Sequence, residues 1–165
     1  MIKITLVGLA ALALAVTLVQ VGLAGPAKGS AATVAVGQSD FGSILVSGRG
    51  RSLYLFDKDK GGKSKCYGAC AAYWPPLLVS GKPHAGAGAK ASLLGRTKRT
   101  DGHWQVTYKH HPLYTYSGDA KAGQTNGEGL DDFGATWDLV SPSGASVEKD
   151  GGSRSDGNTG SGWHG

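Results

Sequence analysis

Apolar and polar positions fall into three regimes along this chain. From Ile4 to Ala24 almost every position is apolar, broken by Thr5, Thr17 and Gln20. From about 41 to 144 short apolar runs alternate with polar and glycine-rich turns. From 145 to the end apolar positions almost vanish. In the middle regime, Ile44 and Val46 fall on one side of a strand, with Leu45 and Ser47 on the other. A Gly48-Arg49-Gly50-Arg51 turn then leads into a second strand over 53–56. Further on, Trp104 and Val106 share a face, Lys109-His110-His111 makes a turn, and 113–116 is a strand opened by Pro112. Period-two alternation around a glycine or polar turn predicts a β-hairpin in each place. Proline at a strand's first position sacrifices the least pairing.

The two hairpin segments are copies. Leu53-Tyr54-Leu55-Phe56-Asp57-Lys58-Asp59 returns as Leu113-Tyr114-Thr115-Tyr116-Ser117-Gly118-Asp119. Trp74-Pro75-Pro76-Leu77-Leu78-Val79-Ser80 returns, one residue shorter, as Trp137-Asp138-Leu139-Val140-Ser141. An internal repeat predicts two similar units packed on each other. The expected fold is mainly β: a small single domain of two pseudo-symmetric hairpin-plus-strand repeats. The chain divides into 1–24 as a signal peptide (with the cut as late as 32), 33–40 as a linker or first strand, and 41–80 as repeat 1. A connector over 81–100, with one short helical turn at Ser92-Leu93-Leu94, precedes repeat 2 over 101–144. The tail over 145–165 is too poor in apolar residues to offset its ordering entropy, and is expected to be disordered.

Lys3 before the apolar run, and the small residues after it, describe a secretory signal peptide, with Ala24 or Ala32 before the cut. The alternative is an uncleaved N-terminal membrane anchor, because the run is long enough to cross a bilayer. Cleavage would leave the protein secreted, periplasmic or at the cell surface. The formal charge of +5 is spread over scattered lysines and arginines. Solvated loops account for that pattern, and a looser role in peripheral envelope association is the sharper reading. No nucleic-acid-binding motif is present.

The repeated residues read as architecture. Tyr54 and Phe56, like Tyr114 and Tyr116, are two apart and point the same way, which makes the aromatic face the expected core. Asp59 and Asp119 sit where a carboxylate accepts from loop N–H groups or from a tyrosine hydroxyl. Trp74 and Trp137 close the following loops.

Cys66 and Cys70 exist only in the first copy. In an exported chain they read first as a disulfide. A redox-active pair is the alternative, as is half a metal site for copper, zinc or haem iron, completed by His103, His110 or His111. Asp57-Lys58-Asp59-Lys60-Gly61-Gly62 resembles the start of a calcium loop but lacks a downstream acidic ligand. Glu128, Asp131 and Asp132 are acids of the kind glycoside hydrolysis uses, without a distinguishing spacing. No nucleophile-elbow motif occurs.

With its Leu53–Asp59 segment, Cys66-Tyr67-Gly68-Ala69-Cys70, His111-Pro112-Leu113-Tyr114-Thr115-Tyr116 and Phe133-Gly134-Ala135-Thr136-Trp137, the chain resembles the bacterial secreted repeats called predicted lipoproteins with a Yx(FWY)xxD motif. The resemblance implies an exported, envelope-associated protein and supplies no catalytic residues. No acylatable cysteine follows the signal, so the lipid anchor in the family's label does not carry over. The expectation is a non-enzymatic binding or scaffold module without a cofactor, for an envelope component or small ligand, acting through loops around 58–65 and 120–132.

Overall fold

The structure is a computed structural model and describes residues 31–147. The signal peptide or anchor over 1–24, and the tail beyond 147, lie outside the described residues. The strands are β1 (Thr33–Ser39), β2 (Gly42–Ser47), β3 (Tyr54–Phe56), β4 (His84–Ala85), β5 (Leu94–Lys98), β6 (Trp104–Tyr108), β7 (His111–Pro112), β8 (Leu130–Asp132) and β9 (Ala135–Leu139). A short helix α1 (Ala69–Tyr73) and a 3-10 turn at Ala91–Leu93 complete the elements. They form three small sheets, ordered β2-β1-β4, β3-β9-β8 and β5-β6-β7. The chain is mainly β, as its alternation predicts.

The expected hairpins are present only in part: the first return is reduced to a bridge, and the second pairs β6 with β7, while the strand expected over 113–116 is reduced to bridges at Tyr114. The residues read as linker or first strand form β1, which pairs with β2 along its length, from Val34 opposite Ser47 to Ser39 opposite Gly42. The predicted return of the chain after Gly48-Arg49-Gly50 survives as a short bridge, with Leu53 N–H donating to Leu45 C=O at 3.0 Å. In the second copy β5 takes the place of β1 and pairs with β6. The span expected as a connector therefore holds β4 and β5. The helical turn expected at 92–94 lies one residue earlier. Alternation cannot reveal these strands, because β1 and β5 carry glycine and polar residues where a core-facing strand would be apolar.

The two copies are intertwined. Tyr54 and Tyr114 exchange both backbone hydrogen bonds, at 2.9 and 3.0 Å, so the pseudo-twofold axis runs between them. Each copy's last strand crosses to the other copy. Leu77 N–H donates to Leu113 C=O at 2.9 Å, and Val140 N–H donates to Leu53 C=O at 3.2 Å. Val106 N–H reaches Leu77 C=O at 2.8 Å, and Leu45 N–H reaches Val140 C=O at 2.7 Å. Neither copy satisfies its own backbone, so the repeat builds one fold rather than two domains.

Strand β3 is buried on both faces, which corrects the expectation that only its aromatic face is core. Tyr54 and Phe56 join Ile44, Trp74, Tyr114 and Trp137 in one cluster. Leu53 and Leu55 join Val34, Leu45, Val106, Tyr108 and Val140 in the other. Leu55 is buried because the crossing strands put a second core beneath it; its counterpart Thr115 is half-buried and bonds to Pro75. In the first cluster four rings stack in the order Phe56, Trp137, Trp74, Tyr116. Their centroid spacings are 4.0, 4.0 and 4.3 Å. Successive members come from alternate copies. Tyr54 meets Trp74 edge-on at 5.3 Å, as Tyr114 meets Trp137 at 5.1 Å. Edge and stacked contacts of this kind add about 0.5–1.5 kcal/mol each beyond area burial.

Order continues past the expected start of the tail. Val147 is buried in the aromatic cluster, and its N–H donates to Leu139 C=O at 2.9 Å. The loops expected over 60–73 and 120–136 contain α1 and β8.

Candidate functional site

The repeated tyrosines and aspartates are exchanged between copies. The Tyr54 hydroxyl donates to Asp119 Oδ2 at 2.8 Å, and the Tyr114 hydroxyl donates to Asp59 Oδ2 at 2.7 Å. The other carboxylate oxygen closes the loop that follows it. Asp59 Oδ1 accepts from Lys65 N–H at 2.7 Å, and Asp119 Oδ1 accepts from Asn126 N–H at 2.8 Å. Each aspartate thus pins its own loop and anchors the opposite copy's strand. Burial holds both phenols far above their ordinary range, and the adjoining carboxylates push the same way. Burial raises the Asp59 carboxyl to about 6 against the Tyr114 and Lys65 hydrogen bonds and the Arg99 and Lys65 charges. Burial raises Asp119 likewise.

A buried polar network stands behind Asp59. Arg99 is buried and donates to Ser64 Oγ at 2.9 Å, Gln105 Oε1 at 2.8 Å, Cys66 C=O at 2.9 Å and Asp101 Oδ2 at 2.9 Å. Its guanidinium also lies 4.3 Å from the Tyr67 ring centroid. Tyr114 and Ser64 hydroxyls are 2.8 Å apart. A planar guanidinium with five donors suits such a role, because buried charge is tolerated only when its donors are used. Cys66 and Cys70 form a disulfide beside Trp74, both sulfurs within the aromatic cluster. It closes the loop whose Ser64 and Cys66 carbonyl hold Arg99.

Two of the open clefts outside this core are lined by hairpin turns. One, of about 580 Å³, runs between the Ser47–Arg51 turn and Leu77, Leu78 and Thr115. The other, of about 520 Å³, separates residues 59–62 from residues 109–112. Its walls are two tight turns. Gly61 and Gly62 have φ of 59° and 70°, and Lys63 N–H donates to Lys60 C=O at 3.0 Å. Lys109 and His110 have φ of 47° and 68° between the paired residues Tyr108 and His111. Both are turns with two left-handed central residues, which match the twist of paired strands.

A family profile for a secreted repeat of unknown function matches twice, over residues 35–78 and 95–141. The chain belongs to this family. No curated protein and no solved structure matches it. The matched segments of this secreted repeat begin within β1 and β5, so each unit starts on those strands. They contain the whole tyrosine, aspartate and tryptophan constellation. Among the described residues no helix is long and apolar enough to cross a membrane.

The secreted repeat scatters the other residues singled out from sequence. His103 is exposed and sits 3.3 Å from Asp101. His110 and His111 line the second cleft, while the sulfurs are bonded to each other inside the core. Among the described residues no group of three or more His, Cys, Asp or Glu side chains comes together. Asp57 is exposed, whereas Asp59 is already bonded, so the two do not face a common ion position. The acidic loop has structural partners. Asp132 accepts from Trp74 Nε1 at 3.1 Å, Asp131 from Thr136 Oγ1 at 2.7 Å, and Glu128 from Leu139 N–H at 2.6 Å. Nothing in spacing marks Arg99, Ser64 and Gln105 as one polar cluster.

Proposed function

We propose that this secreted repeat is a non-enzymatic binding module for a cell-envelope component, working without a cofactor. The observation that carries this reading is the exchange of Tyr54–Asp119 and Tyr114–Asp59. The residues that define the repeat are bonded to one another inside the fold, leaving the peripheral loops to meet a ligand. Burial of both sulfurs argues against a working redox pair, because thiol exchange needs an accessible sulfur.

The test is cosedimentation of the purified secreted protein with isolated envelope material. Saturable binding that weakens with added salt is expected. A protein that stays in the supernatant at every concentration would refute the reading, and so would catalytic turnover of an envelope substrate.

A further inference from the structure

The two copies differ where each loop after the aspartate meets the other copy's hairpin turn. In one half that space is closed. Gly123 N–H donates to Gly50 C=O at 3.1 Å, and the Ser52 hydroxyl donates to Gln124 C=O at 2.6 Å. A Cβ on Gly50 would stand 3.0 Å from Ala122 Cβ. In the other half the corresponding turns face each other across the 520 Å³ cleft. A Cβ on Gly61 would meet nothing within 4 Å, whereas one on Gly62 would stand 3.2 Å from the His110 carbonyl oxygen, so the turns approach each other at Gly62 and part at Gly61.

The chemistry of that opening is cationic. Lys60 lies on one wall, and Lys109, His110 and His111 lie on the other. Between Asp59 and Asp101 the chain carries no carboxylate. The Lys109–His110 turn holds two side-chain-bearing residues in left-handed conformations, where glycine or asparagine would be easier. The turn is fixed from behind: Lys109 N–H donates to Leu93 C=O at 2.8 Å, and the Tyr108 hydroxyl donates to Pro142 C=O at 3.0 Å. Opposite it, the bare Gly61 backbone lets a ligand approach the main chain closely.

We propose that this cleft binds a phosphate group of an envelope component, held between the Lys60–Gly62 turn and the Lys109–His111 turn. The inference rests on the binding-module reading above. Basic residues line opposed walls, and a tetrahedral phosphate presents oxygens in both directions where a planar carboxylate presents them to one side. Asp59 lines the floor with both oxygens engaged by Tyr114 and Lys65. The groups around it are Tyr114, Ser64, Lys65 and Arg99, with Lys60, Lys109, His110 and His111 across the cleft. Its carboxyl, raised to about 6, loses its opposing charge as the medium acidifies.

The experiment is a titration of the labelled full-length secreted protein with inorganic phosphate, followed by backbone amide NMR. Chloride at equal ionic strength serves as the reference. Saturable shifts at Gly61, Gly62, Lys109 and His110 are expected. Lys60→Ala/Lys109→Ala should weaken binding about tenfold or more, while Lys82→Ala/Lys90→Ala, away from the cleft, should not. Equal weakening by both variants, or identical shifts with chloride, overturns the site. Soluble poly(glycerol phosphate) and phosphatidylglycerol vesicles then separate a polymer source from a lipid source, and cleft shifts with either support the proposal. If the wild type cosediments with envelope material but shows no cleft shifts, the cleft is wrong and the binding-module reading stands. If it does neither, both fall.

Discussion

Removing one hydroxyl from the crossed pair tests the architecture directly. Tyr54→Phe deletes the donor to Asp119 Oδ2 and the oxygen that lies 3.3 Å from Gly127 N–H. A hydrogen bond to a charged, buried carboxylate contributes about 1.5–3 kcal/mol, and an orphaned N–H adds roughly 1 kcal/mol. The expected loss is about 2–4 kcal/mol, or roughly 10 °C in Tm for a domain of this size. Chemical denaturation of each variant supplies the free energies. The sign of the pH dependence follows from Asp119, whose carboxyl is raised by burial and lowered by Tyr54. A raised carboxyl makes the folded form bind its proton more tightly than the unfolded chain does. Stability from this group is therefore full below the unfolded value of about 4 and declines as pH rises through the raised one. Without the Tyr54 hydroxyl the carboxyl rises further, so the variant declines more steeply and its deficit grows from acid to neutral pH. A double-mutant cycle identifies the partner. Tyr54→Phe with Asp119→Asn should show coupling of at least about 1 kcal/mol, whereas Tyr54→Phe with Asp59→Asn should be additive within about 0.5 kcal/mol. Coupling within a copy and additivity between copies would refute the crossed arrangement.

Two further outcomes follow from the same geometry. Cys66→Ala/Cys70→Ala should lower stability by about 2–4 kcal/mol by denaturant titration, about 2 kcal/mol of it from a short closed loop and the rest from lost packing. Envelope cosedimentation should survive in the folded variant, and its selective loss would make the sulfur pair functional. Lys109→Asn/His110→Gly, which suits a turn with two left-handed residues, should stabilise the protein by about 1 kcal/mol in thermal melts while weakening phosphate binding; a destabilised variant would contradict the turn assignment.

What could be read from sequence was whatever repeats. Tyr54, Phe56, Trp74 and their partners Tyr114, Tyr116 and Trp137 announce themselves by recurring, and they form the ring stack and its two edge-on tyrosines. The acceptor role of Asp59 and Asp119 was legible from their place after a strand. That each serves the other copy's tyrosine was not, because a sequence shows two equal units and gives no sign of which last strand pairs with which hairpin. Strand β5 fell in the expected connector, and β1 was left open between linker and first strand for a local reason. β1 includes Gly37, and a Cβ there would stand 2.9 Å from Val46 Cγ1, so close packing required a residue that breaks the alternation. The histidine turn was legible as a turn, but its placement opposite Gly61-Gly62 depends on the crossing of the copies.

Crossing also explains why loops of this fold are free to differ. The two copies share one ring stack and one backbone ladder, so a change to Tyr54, Trp137 or their counterparts is felt on both sides of the axis. The loops after the aspartates are held differently, each by a carboxylate accepting a single N–H six or seven residues onward, from Lys65 or Asn126. Residues between those two points carry little of the core, and closure entropy grows only slowly with their number. One copy has used that freedom to carry Lys60 and Lys63, and the other to seat its loop on Gly50. The core constrains both copies to be alike, while the anchored loops allow only one of them to present a cleft.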